Sequence, residues 1–327
     1  MFGTMLGVLR CWLLSICGAL ILTGAALANE NTGETTTEDW RKSLPTFRFG
    51  VVLNDQDATV RRRLTLIRDQ LQQALGVPVE LIIKSDYASL MEMQRQGWLH
   101  YAIYSTSAFS ALHLICECVE PVIAPLSQDG GSSFRSVLIS RSDVAIATNA
   151  LPGQTIAYAG RGSVAGHLVP RLQFLSDHPE LTSAINFEVT DQAETASESL
   201  REGKIGAFFG WSSLAGDEAQ GYSRGSLRHL RSIADEGQVE YVVLWKSIAI
   251  PHGPHAVIKA VPGEARKIIA SYMLALNGSS PHLYDALDQR FGGGFAIVSM
   301  TEYEPFIDLV RRAKDLPPGD LLSSSNK

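Results

Sequence analysis

The 327-residue chain contains 28 Lys and Arg residues and 34 Asp and Glu residues, which gives a formal net charge of −6. Hydrophobic residues make up 45% of the chain. This hydrophobic content is ordinary for a globular protein with a substantial core, and the length suits two lobes of about 100–200 residues each. The net negative charge argues against a nucleic-acid partner.

The first 28 residues are typical of a secretory signal peptide. Arg10 precedes an apolar run from Cys11 to Leu22, and residues 26–28 form an Ala-Leu-Ala cleavage site. We therefore expect cleavage after Ala28 and export of the mature chain. No other segment is long and apolar enough to span a bilayer. The polar residues 29–46 are predicted to form a flexible leader.

Strand-like and helix-like segments then alternate. The predicted strands are Phe47–Leu53, Val79–Ile83 and Tyr101–Tyr104, and the predicted helices are Ala58–Leu75 and Tyr87–Gln96. Apolar residues recur in the first of these helices at three- and four-residue spacing, which is typical of an amphipathic helix. The β-α-β-α-β order predicts a mostly parallel sheet with helices on both faces.

The same pattern begins again after residue 150. Its predicted strands are Ile156–Ala159, Ile185–Val189 and Ile205–Phe209, with helices from about Val164 to Leu175 and from Ala193 to Arg201. Two such units predict two α/β lobes. The natural ligand site is the cleft where strand ends from both lobes face each other.

The glycine-rich stretch Gly160–Gly166 lies between a predicted strand and a predicted helix. Backbone N–H groups at such a helix start favour a phosphate or a similar oxyanion. The glycine spacing differs from the dinucleotide fingerprint, and Ser163 lacks the glycine two positions earlier that a nucleophile elbow requires. The stretch therefore predicts anion binding, and an enzyme that uses Ser163 is the least favoured interpretation.

No metal or cofactor is expected. His252 and His255 suggest a metal pair, but no third ligand lies at a usual spacing from them.

Seven segments in their order along the chain resemble the periplasmic phosphate-, phosphite- and phosphonate-binding proteins of ABC importers. They are FRFGVVLND (47–55), YAIYSTSAF (101–109), GGSSFRSVLISRSD (130–143), GRGSVAGHLVP (160–170), GKIGAFFG (203–210), IPHGPHAVI (250–258) and GFAIVSMTEYEPF (294–306). The resemblance implies a two-lobed clamshell of the type II periplasmic-binding-protein fold in the periplasm, with no catalytic activity. Its partners would be a small oxyanion or oxyacid and an ABC permease.

The resemblance also sets expected lobe boundaries. The first lobe would comprise residues 47–141 and 249–327, and the second lobe residues 142–248. The chain would cross between them near Ser140–Val144 and Ser247–Pro251.

Ligand-contacting positions follow from the same resemblance. They are Tyr104, Ser105, Thr106, Phe134, Gly162, Ser163, Val164, Ala165, Gly166, Thr195 and Trp211. The family has a Ser-Thr-Ser-Gly run where this chain has Ser163–Gly166, and polar or acidic residues where it has Trp211. Because two hydroxyls are replaced by apolar side chains, we expect a less charged or neutral ligand rather than a phosphonate dianion.

Two cysteines, Cys116 and Cys118, remain after removal of the signal peptide. They could be buried free thiols, a labile disulfide or a soft-ligand site. Some relatives of the resembled family sense arsenite through a cysteine and signal to a histidine kinase, which is the alternative function, with Cys116 as the main thiol. If a helix begins at Thr106, however, Cys116 lies roughly 15 Å along it.

Overall fold

The structure is a computed structural model that describes residues 39–53, 57–160, 162–233, 239–288 and 290–312. The predicted signal peptide, its cleavage site after Ala28 and residues 29–38 of the predicted leader lie outside the described residues. The rest of that leader, residues 39–46, is packed rather than flexible: Trp40–Lys42 form a turn of 3-10 helix, and Trp40 and Leu44 are buried in a hydrophobic core because both are large apolar side chains. No helix in these ranges combines the length and the apolar character that crossing a bilayer requires.

Strands and helices alternate along most of the chain. The strands are β1 (Phe47–Val52), β2 (Val79–Lys84), β3 (Tyr101–Ile103), β4 (Val119–Ser127), β5 (Ser133–Arg141), β6 (Thr155–Ala159), β7 (Asn186–Thr190), β8 (Ala207–Ser212), β9 (Tyr241–Lys246), β10 (Ile250–Pro251), β11 (His255–Ile258) and β12 (Gly292–Ile297). The α-helices are α1 (Ala58–Leu75), α2 (Tyr87–Arg95), α3 (Thr106–Cys116), α4 (Leu175–Asp177), α5 (Ala193–Arg201), α6 (Ser226–Ser232), α7 (Gly263–Ser279), α8 (Pro281–Leu287) and α9 (Met300–Arg311).

The strands form two sheets. The first has the order β12-β4-β11-β3-β1-β2, and the second has the order β10-β5-β8-β6-β7 with β9 also paired to β5. Helices flank both sheets, and each sheet with its helices is one lobe, called here the first lobe and the second lobe. The predicted two-lobed α/β fold is confirmed.

Both sheets are mixed, which corrects the expectation of mostly parallel sheets. In the first sheet β1 is parallel to β2 and β3, but β11 and β12 run antiparallel to their partners. In the second sheet β6 is parallel to β7 and β8, but β5 is antiparallel to β8, β9 and β10. The chain enters the second sheet at the edge where its parallel strands end, so β5 must run in the opposite direction.

The chain passes between the sheets at two short connections. Residues 128–132 join β4 to β5, and residues 252–254 join β10 to β11. The expected boundaries at 141/142 and 248/249 therefore place β5 and β10 in the wrong lobe. The local sequence of β5 is compatible with either sheet. Its pairing with the distant strands β8 and β9 places it in the second sheet.

Helix α1 has the predicted bounds, and local chemistry explains both ends. The Asp57 carboxylate accepts hydrogen bonds of 3.0 Å from the N–H groups of Thr59 and Val60. Gly76 ends the helix with a φ of 69° and donates to the Gln72 carbonyl. The predicted apolar face is buried against the first sheet: Val60, Leu64, Ile67, Leu71 and Leu75.

The helix predicted from Val164 to Leu175 is irregular. Wider, π-type turns run over Val164–Leu168 and Pro170–Phe174, and α4 completes the segment. Pro170 has no N–H for the regular helical hydrogen bond.

Helix α9 ties the lobes together. Tyr303 and Ile307 pack in the core of the first lobe, whereas Phe306, Leu309 and Val310 pack in the core of the second. The apolar side chains of this one helix therefore contribute to the hydrophobic cores of both lobes.

Candidate functional site

The parallel strands of each sheet have their carboxyl ends at one edge, and these two edges are on the sides where the sheets are connected. In the second sheet β6, β7 and β8 end at one edge, and the antiparallel β5 begins there because Arg135 is paired with Ser212. In the first sheet β1, β2 and β3 end where β11 begins, because His255 is paired with Ile103. Both short connections between the sheets join these edges. The space between them is called here the inter-lobe cleft.

The Gly160–Gly166 loop follows β6, and its residues Ser163 and Gly166 are packed closely at this edge. The Ser163 hydroxyl oxygen accepts a hydrogen bond of 2.9 Å from the N–H of Gly166. A Cβ at Gly166 would lie 2.1 Å from the carbonyl oxygen of Ala159. Only glycine fits there without a backbone shift.

Ser163 therefore caps the segment that follows it. Its carbonyl also accepts bonds from the N–H groups of His167 and Leu168, at 3.1 and 3.0 Å. The groups of this loop best placed for a ligand are the Ser163 O–H and the first-turn amides of Val164 and Ala165.

The loop is anchored to β5 as well. The Ser136 hydroxyl donates to the Ala165 carbonyl at 2.6 Å. Ser136 is two residues from Phe134 and is paired with Trp211 of β8. The structure thus brings the loop, Phe134 and Trp211 to one corner of the second lobe.

Tyr104 follows β3 and faces the cleft edge of the first lobe. Its side chain is 2% exposed, and among the described residues its hydroxyl has no hydrogen-bond partner. Burial, more than the nearby Tyr87, raises the pKa of the phenol, so the hydroxyl stays protonated. A buried O–H without a partner is uncommon in folded proteins and calls for an explanation.

A small cavity lies at the carboxyl ends of β1 and β3 and is lined by Ile103, the residue before Tyr104. The Tyr87 ring, whose centroid is 6.1 Å from that of Tyr104, forms one wall. The remaining lining residues are Val51, Val52, Leu53, Leu64, Ile103, Ala286 and Leu287. The lining residues of this cavity all have uncharged side chains.

Ser105 and Thr106 start α3 against the second connection between the lobes. The Ser105 hydroxyl oxygen accepts from the Ala108 N–H at 3.2 Å, and the Thr106 hydroxyl donates to the Pro251 carbonyl. Both hydroxyls thus have structural partners. A Cβ at Gly253 would lie 2.1 Å from the Tyr104 carbonyl oxygen, so the connection runs directly against this edge.

An aromatic row crosses from the second lobe to the first. Trp211 packs edge-on to Phe134 with ring centroids 6.3 Å apart, and Phe134 stacks on His252 at 5.9 Å. His252 stacks in turn on Phe291 at 3.8 Å. Trp211 at the end of the row is 37% exposed. We call these four residues the aromatic row.

Two arginines lie beside the aromatic row. The Arg224 guanidinium of the second lobe donates to the carbonyls of Arg290 and Phe291 in the first, at 2.7 and 3.3 Å. Burial, together with the weaker effect of the Arg290 and Arg224 cations, lowers the pKa of His252 to about 4, although the hydrogen bond to the Pro125 carbonyl and the Asp129 carboxylate act in the opposite direction. His252 is therefore a neutral donor at pH 7.

The remaining expected positions are less closely involved. Gly162 is half-buried in the loop, and Thr195 is exposed in the first turn of α5. Sequence analysis did not include His252, Arg224, Arg290 or Phe291 in the site. His252 belongs to the segment IPHGPHAVI, one of the seven that carry the family resemblance. The sequence alone does not indicate that His252 contacts Phe134.

Cys116 and Cys118 form a disulfide, with Cα atoms 5.0 Å apart. Cys116 is the last residue of α3, and Thr106, the first, lies at the cleft edge. Glu117 between the cysteines has a φ of 47°, which turns the chain sharply at the helix end. These two cysteines therefore place no thiolate in the cleft, in contrast to the suggested thiol ligand.

Two α/β lobes joined by two short connections have the bilobal architecture of periplasmic binding proteins. A family model described as the periplasmic substrate-binding protein of phosphonate ABC transporters matches residues 49–303. The chain belongs to this family. Membership implies a periplasmic protein with a small anionic ligand and an ABC permease as its partner.

Solved structures have the same fold. XAC2383 from Xanthomonas citri, described as bound to chloride and, in a second structure, to ATP, is 15% identical with a TM-score of 0.58. The chloride-bound match covers 83% of this chain and 99% of that one. PhnD1 from Prochlorococcus marinus in complex with methylphosphonate is 14% identical over 83% of this chain and 99% of that one, with a TM-score of 0.52. At these identities the likeness shows the fold alone.

Proposed function

We propose that this protein, exported by a signal peptide cleaved after Ala28, captures a small oxyanion or oxyacid in the inter-lobe cleft for an ABC importer. Family membership and the opposed strand edges support this function. The first lobe would contribute Tyr104 and the start of α3. The second lobe would contribute the Gly160–Gly166 loop, Phe134 and Trp211. Thr195, at the start of α5, is a further candidate contact on the second lobe.

The observation that carries the proposal is the buried Tyr104 hydroxyl without a partner among the described residues. Leaving such a group unpaired costs about 1–3 kcal/mol. A ligand oxygen that accepts its hydrogen bond would recover much of this cost on binding. The position of this hydroxyl at the carboxyl end of β3 supports Tyr104 as a ligand contact.

The donors near the cleft favour a weakly charged ligand. The hydroxyls of Ser163, Ser105 and Thr106 all have structural partners, and Val164 and Ala165 contribute only backbone amides. Charge-assisted hydrogen bonds contribute about 1.5–3 kcal/mol each, and a dianion needs several of them. We therefore infer a monoanion or a neutral oxyacid as the ligand.

Replacing Tyr104 by Phe tests the site. We expect Tyr104→Phe to weaken ligand binding about five- to tenfold, because one net hydrogen bond is lost. The ligand-free protein should unfold at the same or a slightly higher temperature, since a buried unpaired hydroxyl is removed. Calorimetric titration with phosphite, phosphate and methylphosphonate, combined with thermal unfolding, measures both effects.

Tyr272→Phe is the matched control. The Tyr272 hydroxyl donates to Gln70 at 2.8 Å, between α7 and α1 and away from the cleft edge. This variant should lose stability and keep its ligand affinity. A Tyr104→Phe variant that loses stability while its affinity is unchanged would contradict the proposed role of the hydroxyl.

The alternative, an arsenite sensor that signals to a histidine kinase, requires a free thiolate. We expect the oxidised protein to ignore arsenite, because both sulfurs are bonded to each other. Cys116→Ser with Cys118→Ser should lower stability by about 1–2 kcal/mol and leave affinity for the cleft ligand unchanged. Titration of oxidised, reduced and double-variant protein with arsenite measures this. Tight binding by the reduced form alone would favour the sensor.

A further inference from the structure

The backbone of Trp211 is restrained by its neighbours, whereas part of its indole ring is exposed to solvent. The backbone N–H of Trp211 donates a hydrogen bond of 3.1 Å to the Ser226 hydroxyl, which restrains the backbone at this position. A Cβ at the preceding Gly210 would lie 2.3 Å from that same hydroxyl oxygen, so the strand and α6 are in close contact. The side chain is nevertheless 37% exposed at the cleft edge. A rigid backbone thus presents an apolar aromatic surface where the ligand is expected.

The rest of the aromatic row fixes the position of the indole. Phe134 meets the indole at an interplanar angle of 86°, so it covers an edge and leaves ring surface uncovered. Phe134 is supported by His252 and Phe291 through stacked rings at interplanar angles of 25° and 26°. Such a supported ring needs little ordering when a second planar group stacks on it.

Charged groups of both signs lie at the end of the row opposite Trp211, because the carboxylates of Asp129 and Asp288 interact with Arg224 and Arg290. The Arg224 and Arg290 guanidinium groups lie at its inner end, and Arg290 is 5.6 Å from the Phe291 ring centroid. Asp129, the nearby carboxylate, accepts a hydrogen bond from the Ser223 hydroxyl. The exposed indole of Trp211 therefore lies at the end of the row away from these charged groups and offers an apolar ring surface to a ligand.

We propose that the ligand is a small organic oxyanion bearing a planar ring, and that the ring stacks on Trp211. This inference rests on the proposed function and names the class of substrate for the same cleft. The shortage of side-chain donors at Ser163–Gly166 agrees with it, because part of the affinity then comes from the ring. Apolar contact replaces some of the hydrogen bonds that a bare oxyanion would need.

The test compares ligands that share an acidic group and differ in the substituent. Phenyl-, cyclohexyl- and methylphosphonate form one series, and phenyl- and methylphosphinate form a singly charged one. We expect the phenyl compound to bind about tenfold more tightly than the methyl compound within a series. The cyclohexyl compound, of similar size but not planar, should fall between them.

Variants assign this preference to the indole. Trp211→Leu should reduce the preference for phenyl over methyl to about twofold. Trp98, which is 59% exposed and lies between α2 and β3, provides the control. Trp98→Leu should bind every compound as the wild type does.

The outcomes separate the two proposals. If methyl and phenyl compounds bind equally well to the wild type, or if Trp211→Leu keeps the preference, the ring subsite is wrong and the proposed function stands. If no phosphonate, phosphinate, phosphate or phosphite binds, the proposed function itself fails.

Discussion

Gly166→Ala will lower the free energy of unfolding by about 2–4 kcal/mol and abolish measurable ligand binding. The new Cβ would lie 2.1 Å from the Ala159 carbonyl oxygen and 3.0 Å from its carbon. Both atoms belong to the end of β6, so the clash cannot be relieved by turning a side chain. The loop would have to move away from the strand, and the Ser163 cap and the first-turn amides would move with it. Urea unfolding followed by circular dichroism, with calorimetric titration, measures both losses.

Gly278→Ala provides the matched control. A Cβ at Gly278, in the last turns of α7, would meet no atom within 4 Å. There the change should stabilise the protein by up to about 1 kcal/mol, because alanine loses less backbone freedom than glycine in a helix. If Gly166→Ala proved as stable as Gly278→Ala, the close packing of the loop on β6 would be disproved.

The elements that the sequence predicted well depend on neighbouring residues. Helices α1 and α5 have the predicted bounds, because apolar periodicity and end residues such as Asp57 and Gly76 act within a few positions. Strands β1, β2 and β6 were predicted to within one residue at each end for the same reason. The glycine-rich loop was predicted from a strand, glycines and a helix start in direct succession.

What the sequence did not predict depends on distant contacts. The direction of β5 follows from where the chain crosses between the sheets, and no local pattern encodes that. The aromatic row joins residues 134, 211, 252 and 291, which meet only after both lobes are formed. Trp211 was an expected ligand contact, but its support by Phe134 was not foreseeable. The Cys116–Cys118 bond was one of three alternatives that spacing alone left open.

Lowering the pH from 7.5 to 5 will destabilise the protein by about 4 kcal/mol through His252 and His255 alone. Burial lowers the pKa of His255 to about 3 and contributes most to lowering that of His252 to about 4. The His255 ring is enclosed by Tyr101 and Phe295, and its Nδ1 lies 2.5 Å from the Tyr101 hydroxyl. Neither imidazole can take up a proton without losing a favourable apolar or hydrogen-bonded environment.

The direction follows from the protons that each state binds. An unfolded histidine has a pKa of about 6.5, so between that pH and the folded pKa the unfolded chain binds more protons. The stabilisation is complete above pH 6.5 and is lost at about 1.4 kcal/mol per pH unit for each histidine as the pH falls. Burial raises the pKa of Asp288, and this group opposes the trend at lower pH.

A substitution isolates the contribution of one histidine. His255→Asn should be less stable than the wild type at pH 7.5, because packing against Phe295 is lost. Its stability should then fall less steeply between pH 6.5 and 5, by about 1.4 kcal/mol per pH unit. Urea unfolding across this pH range measures both slopes, and His282→Asn, at an exposed position, should keep the wild-type slope. Equal slopes for wild type and His255→Asn would show that this histidine takes up a proton as readily in the folded protein as in the unfolded chain.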